Sequence, residues 1–225
     1  MGPVPKGVFL TKGVGKHREK LNSFELSLRA AGIAEYNLVR VKSIYPPMCR
    51  LMTPQEGQRY LKPGQIVFAV VSDNATAEPH RLCAATVGVA IPADPNNYGY
   101  LSEHNSFGET EQKAGDYAED LAAMMLATIL GVDFDPNASY DERKGVWRMS
   151  NKIVSTRHIT QSAVGDRDAL LSDEETSSSW AEVANERGNT PYPNWRIPMD
   201  PGSACSFAQQ ACGNRPGAKG VPHDA

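Results

Sequence analysis

The stretch Asn37-Leu38-Val39-Arg40-Val41-Lys42-Ser43-Ile44-Tyr45-Pro46-Pro47 places a hydroxyl where a strand has to stop. Its first half alternates polar and aliphatic residues, as a half-buried strand does. Its second half ends in Pro-Pro, which donates no ladder hydrogen bonds and pushes Tyr45 into an extended conformation. A serine in such a place either bonds a nearby carbonyl in a loop or serves as a nucleophile. Three other polar side chains belong with it by type. Glu103 stands near the end of a later extended stretch, where it is either a proton carrier or a buried structural carboxylate. Asn37 opens the same strand as Ser43 and reads as an ordinary strand-start amide. Glu25 lies between Arg18 and Arg29, and its spacing to Arg29 is that of a solvated i,i+4 ion pair.

The familiar catalytic arrangements are missing. No G-x-S-x-G surrounds any serine, so there is no nucleophile elbow. The five histidines form no H-E-x-x-H and no cluster with cysteine, which removes the obvious zinc enzymes. Gly15-Lys16 has the look of a phosphate loop, but Leu10 stands where a Walker A needs glycine and His17 where it needs Ser or Thr. Cys49, Cys83, Cys205 and Cys212 show no C-x-x-C spacing and are expected as free thiols in a reducing cytosol.

Several elements must hold these side chains. Residues 4–10 read as a strand through Val8, Phe9 and Leu10, followed by a glycine-containing turn. A helix is expected over 18–33, with Leu21, Phe24, Leu28 and Ala31 on one stripe and Gly32 as its stop. Strands follow over 37–43, 65–72, 81–91 and 98–104, with a short helix at 54–61 and a turn at Lys62-Pro63-Gly64. The longest helix signal is 109–131, N-capped by Thr110, with Ala114, Tyr117, Leu121, Met125 and Ile129 at helical spacing. Residues 133–141 read as a loop, 144–150 show no clear pattern, and 152–160 alternate like a strand. Beyond Leu171 the composition shifts to Ser, Asp, Glu, Pro and Gly. Residues 172–225 are therefore expected to be mostly disordered, with Trp180 and Trp195 as the only substantial anchors. Strands alternating with two helices give an α/β layered domain within 1–171.

Apolar residues at 40% and charged residues at 22% suffice for a core. A net charge of −3 without a Lys/Arg block argues against nucleic acid as the main partner. No apolar run reaches the ~18 residues of a membrane span, and the N-terminus lacks a secretory pattern. A soluble, cytoplasmic protein is expected.

In this order, the residues resemble the pyruvoyl-dependent arginine decarboxylases, most like their bacterial branch. The matching positions are Val8-Phe9-Leu10-Thr11-Lys12-Gly13-Val14-Gly15, Ser23-Phe24-Glu25, Ala31-Gly32-Ile33, Asn37-Leu38-Val39-Arg40-Val41 and Ser43-Ile44. Further matches are Pro46-Pro47, Pro63-Gly64, Ala90-Ile91-Pro92, Gly99-Tyr100-Leu101-Ser102-Glu103-His104 and Gly115-Asp116-Tyr117-Ala118-Glu119. The resemblance implies an α+β fold, the layered αββα sandwich of the pyruvoyl-dependent histidine and arginine decarboxylases. It implies self-cleavage at Lys42–Ser43, with Ser43 becoming a covalent pyruvoyl group, and no pyridoxal phosphate or metal. That group forms a Schiff base with the amine of L-arginine and acts as electron sink while carbon dioxide leaves and agmatine forms. Glu103 then matches the proton donor, and its position at a water-poor strand end calls for a raised pKa. Asn37 matches a residue near the cleavage site that can bond a developing oxyanion. Glu25 matches an acidic residue, usually Asp, that meets the substrate guanidinium. The family assembles as trimers of cleaved protomers with sites between subunits.

Two departures stand out. The family commonly carries Ser or Thr before the pyruvoyl-forming serine, where this chain has Lys42; cleavage is still expected, at a reduced rate. The family also closes with an apolar strand soon after the match to Gln161-Ser162-Ala163, where this chain runs into 172–225. Lacking that strand, a sheet exposes an edge. The tail reads equally as a genuine appendage or as the product of a frame change. An uncleaved, inactive homologue acting as a binding or regulatory subunit is the alternative function.

Overall fold

The computed structural model describes residues 4–133, 135, 137–165 and, as backbone, 175–183. The elements run β1 (Gly7–Lys16), α1 (Lys20–Ala31), β2 (Asn37–Arg40), β3 (Ile44–Tyr45), β4 (Arg50–Met52), α2 (Pro54–Gln58), β5 (Ile66–Thr76) and β6 (Leu82–Pro92). After these come β7 (Gly99–Phe107), α3 (Glu111–Leu130), α4 (Tyr140–Ser150), β8 (Ile153–Val164) and β9 (Glu175–Val183). Two sheets form, of order β2-β5-β9-β1-β4 and β3-β7-β6-β8.

Alternation along the strands assigns the layers. Phe9, Val67, Ala69 and Val71 pack with Leu28, Ala31 and Ile33, so one face of the five-stranded sheet is covered by α1 and the segment after it. Val8 and Val70, one residue out of phase, meet Val87, Val89 and Leu101 between the sheets. Ala90 of the four-stranded sheet packs against Ala122, Ala123, Leu126 and Ala127 of α3 and Trp147 of α4. Three apolar interfaces make four layers, the αββα sandwich expected.

The two glycines of β1 have a structural use. A Cβ at Gly13 would lie 2.2 Å from the Ser27 carbonyl oxygen, and one at Gly15 would lie 2.0 Å from that of Ser23. Their absence of side chain lets α1 lie backbone-close on the strand. They sit inside a ten-residue strand, not in the turn that the pair suggests. The same contact re-aims the helix. Its buried stripe is Ser23, Ser27, Leu28 and Ala31, whereas Leu21 is 78% exposed.

The long helix behaves similarly. Thr110 caps α3, its side chain accepting from the Lys113 backbone, and Gly131 ends it in the left-handed region. The buried face is Ala114, Ala118, Ala122 and Leu126, while Tyr117 and Ile129 face solvent. Residues 144–150, without a clear pattern in sequence, and the end of the expected 133–141 loop form the helix α4, capped by a reciprocal Ser139–Glu142 box.

The expected disorder of 172–225 does not hold for nine residues. Glu175–Val183 forms β9, antiparallel to both β1 and β5, in the middle of the five-stranded sheet. The backbone slot between two strands demands a hydrogen-bonding partner, whatever its side chains. Residues 184–225, with the expected anchor Trp195, lie outside the described residues. Among those described, no helix is long and apolar enough to cross a membrane.

Candidate active site

Ser43 is the last of three residues between β2 and β3 and the centre of a turn. The Ile44 N–H donates to the Lys42 carbonyl at 2.8 Å, closing a γ-turn across Ser43. The Ser43 carbonyl accepts from the Leu101 N–H at 2.9 Å, which ties the turn to β7. Beyond it, Ile44 and Tyr45 pair with Tyr100 and Gly99. Tyr45 is buried and its hydroxyl donates to the Cys49 carbonyl at 2.8 Å. Met48 takes a positive φ of 56° and donates its N–H to the Pro95 carbonyl, so the chain after Pro46-Pro47 is pinned at both ends. The Lys42–Ser43 bond thus lies between two anchored strands, its carbonyl already accepting a hydrogen bond that polarises it.

Glu103 is brought close. It lies two residues along β7 from Leu101, and alternation turns both to the same face. Partial removal from water raises its pKa from the ordinary value; Arg40 opposes this shift and Asp73 adds to it. Glu103 stands in the middle of β7 and is exposed, not at a water-poor strand end as expected. Arg40 Nη2 and Asp73 Oδ1 form an ion pair of 2.5 Å, with Asp73 in phase with Val71 on the α1 face of the sheet. Neither residue was singled out from sequence. Arg40 stands within the matching Asn37-Leu38-Val39-Arg40-Val41, but nothing in the spacing links Asp73 to it.

One expected site residue, Asn37, is not brought beside Ser43 within one chain. Asn37 stands at the far end of β2. The four residues to Val41 span about 13 Å of extended chain at ~3.3 Å each. Its amide donates to the Gly64 carbonyl at 2.7 Å. Glu25, on α1, accepts from Arg29 Nε at 3.0 Å, as its spacing suggests.

On the opposite face of β7, His104 stacks on Tyr117 and bonds Glu109 at 2.9 Å. Hydrogen bonds from His104 and Lys113 hold the Glu109 carboxyl down at about 2. These groups face α3, away from Ser43.

The pyruvoyl group that the resemblance implies needs no external ligand. It needs a serine whose preceding carbonyl is held for attack, and the γ-turn holds the Lys42 carbonyl in a hydrogen bond. A four-layer sandwich with a serine so held between its sheets is the architecture of the self-processing amino-acid decarboxylases. Residues 7–172 match the family model described as pyruvoyl-dependent arginine decarboxylase. The chain is 58% identical over 166 residues to a probable pyruvoyl-dependent arginine decarboxylase of Chlorobaculum tepidum, covering 74% of this chain and 92% of that protein. It is 54% identical over 164 residues to pyruvoyl-dependent arginine decarboxylase 2 of Methanosarcina acetivorans, covering 73% and 90%. With the pyruvoyl-dependent arginine decarboxylase of Nitrosopumilus maritimus it shares 52% over 165 residues, again 73% and 90%. This chain belongs to the pyruvoyl-dependent arginine decarboxylase family.

Proposed function

We propose that this chain cuts itself between Lys42 and Ser43 and then converts L-arginine to agmatine and carbon dioxide. The observation that carries the reading is the γ-turn at Ser43, with the Lys42 carbonyl engaged and Glu103 on the adjoining strand. The Ser43 hydroxyl attacks the Lys42 carbonyl carbon; the C–N bond breaks and an ester with a free Ser43 amine forms. Loss of the Ser43 α-proton expels the Lys42 carboxylate and leaves dehydroalanine. Water adds to this residue, ammonia departs, and a ketone caps residues 43–225.

That pyruvoyl cap supplies a carbonyl that binds the substrate amine and draws in electrons as carbon dioxide leaves. The chain's own residues do the rest. Glu103, whose pKa is raised by partial removal from water, returns a proton to the substrate α-carbon. Glu25 meets the guanidinium with two parallel hydrogen bonds, a geometry lysine cannot copy. Asn37 lies at the far end of β2 from Ser43, so in this reading it completes a neighbour's site together with Glu25, and a homotrimer in the cytoplasm is the proposed assembly.

Lys42 beside the scissile bond favours one other reading, an uncleaved and inactive subunit. A denaturing gel with intact mass separates the two. The active reading expects fragments 1–42 and 43–225, with a borohydride-reducible adduct on residue 43. It also expects carbon dioxide from arginine well above that from lysine or ornithine, and a Ser43→Ala chain that stays whole. A wild-type chain that stays whole sinks the enzymatic reading.

A further inference from the structure

At Ser43 the chain passes from one sheet to the other, since β2 pairs with β5 and β3 with β7. One backbone bond ties this crossover to each side. The Val41 N–H donates to the Ala69 carbonyl of β5 at 2.9 Å, and the Leu101 N–H of β7 donates to the Ser43 carbonyl at 2.9 Å. The Lys42–Ser43 bond lies between the two ties. Cutting it leaves Val41 on the five-stranded sheet and residue 43 on the four-stranded one, with no covalent link across the gap at that point. A second bridge stands three residues further along both strands, from Ser72 of β5 to His104 of β7. Ser72 is fully buried and in phase with Val70, so it points between the sheets. Its hydroxyl accepts from the Thr86 N–H of β6 at 3.1 Å. Its one proton goes to β7, where the His104 carbonyl lies at 3.1 Å and the Asn105 side-chain oxygen beside it. Asn74, next in phase, repeats the pattern: its amide donates to the Ser106 carbonyl at 2.8 Å and the Ala84 carbonyl at 3.2 Å.

The apolar contact of Val70 with Val87 and Leu101 presses the sheets together but has no direction, whereas a hydrogen bond fixes both distance and angle. Glu103 lies in β7 between Leu101, tied to residue 43, and His104, tied to Ser72, and alternation turns its side chain with Leu101 toward the gap. Resting on the reading that the chain cuts itself and uses Glu103 as proton donor, we propose that Ser72 is a positioning residue for the cut enzyme. Its hydroxyl takes over from the severed crossover and holds the gap between β5 and β7, which Glu103 faces and residue 43 closes, at the width it had before the cut. A serine that only satisfies the buried Thr86 N–H would stabilise the cut and uncut chains alike.

The test places Ser72→Ala in the full self-cleaving chain and in the Ser43→Ala chain, which stays whole. Intact mass, hydrazide labelling of the new carbonyl and carbon dioxide release are first recorded for the wild type, so a failure of the decarboxylase reading shows itself separately. Ser72→Ala should cut itself to the wild-type extent and take up hydrazide equally, because the crossover is still intact when Ser43 attacks. Its kcat for arginine should then fall about tenfold with KM changed by less than about twofold, since a small misplacement near the reacting groups costs rate more than binding. Ser72→Cys, with a weaker donor and acceptor, should fall between wild type and Ser72→Ala in kcat. The loss of Tm caused by Ser72→Ala should be about twice as large in the cut chain as in the whole one, the non-additivity expected of two devices that span one gap. An unchanged kcat in cut Ser72→Ala overturns the proposal. So does an equal loss of Tm in both backgrounds, or a Ser72→Ala chain that stays uncut, which would mean that the hydroxyl is needed before the crossover is severed.

Discussion

At the scale of single residues, the chain places its chemistry on a backbone feature and its acid-sensitivity on a buried carboxylate. In the proposed self-cleavage Lys42 reacts through its carbonyl, which the Ile44 N–H engages whatever the side chain. Lys42→Ser should therefore change the rate of self-cleavage by less than tenfold and its final extent hardly at all, as followed by intact mass during refolding. A large rise in extent would show that the side chain at 42 obstructs the turn. Glu119 is a separate matter. It is 5% exposed and receives His158 at 3.0 Å, Lys144 at 3.3 Å and the Thr156 hydroxyl. Burial pushes its carboxyl up, but these donors outweigh burial and bring it to about 2. A depressed carboxyl stabilises the fold above its unfolded value near 4.5 and loses that contribution as pH falls toward 2. Glu119→Gln should cost about 3 kcal/mol at pH 7, because His158 and Lys144 lose their anion. The gap between wild type and variant in urea midpoint should narrow steadily from pH 5 to pH 2.5. A gap that stays constant would mean that Glu119 carries no linked proton. The turn at Ser43 after a strand was legible at this scale because Pro46-Pro47 follows it closely. Arg40 and Asp73 were not, because their pairing joins residues 33 apart in sequence.

Among the elements, small residues decide where helices lie, and they carry the least hydrophobic signal. A reading that weighs Leu, Tyr and Met locates both long helices but rotates them, as Leu21, Tyr117 and Ile129 on the solvent side show. The true contacts are Ser23 and Ser27 over Gly13 and Gly15, and Ala118 of α3 over Gly88 of β6. Close backbone approach, not side-chain volume, sets these seams. Strand alternation was read more reliably, since neighbours such as Val8 and Phe9 enter different cores. Gly15→Ala tests the seam directly. Its new methyl would meet the Ser23 carbonyl and the Ser27 nitrogen, both backbone atoms that cannot rotate away. Unfolding in urea should show a loss of about 3 kcal/mol, the upper part of the range for overpacking. A loss below about 0.5 kcal/mol would show that α1 lifts off β1 freely.

For the whole molecule, the central strand of the five-stranded sheet is its least apolar segment by sequence. Glu-Thr-Ser-Ser-Ser-Trp-Ala-Glu-Val offers no alternation to read, which is why 175–183 looked like the start of a disordered tail. Its place is set by the hydrogen-bonding needs of its neighbours. β1 and β5 touch no strand in common except β9, which pairs residues 9–16 of one and 68–76 of the other. Without it the sheet divides into β2-β5 and β1-β4, each with a new unpaired edge in the middle of the sandwich. All described residues fall within the unit Met1–Arg187. A chain ended after Arg187 should therefore keep one cooperative unfolding transition, self-cleavage and a midpoint close to that of the full chain. A chain ended after Leu171 should aggregate or unfold without cooperativity, and leave Ser43 uncut, since the turn at Ser43 hangs from a sheet that has lost its middle. Equal behaviour of the two truncated chains in thermal unfolding and intact mass would mean that β9 adds nothing, and that β1 and β5 hold their places through the α1 and inter-sheet cores alone.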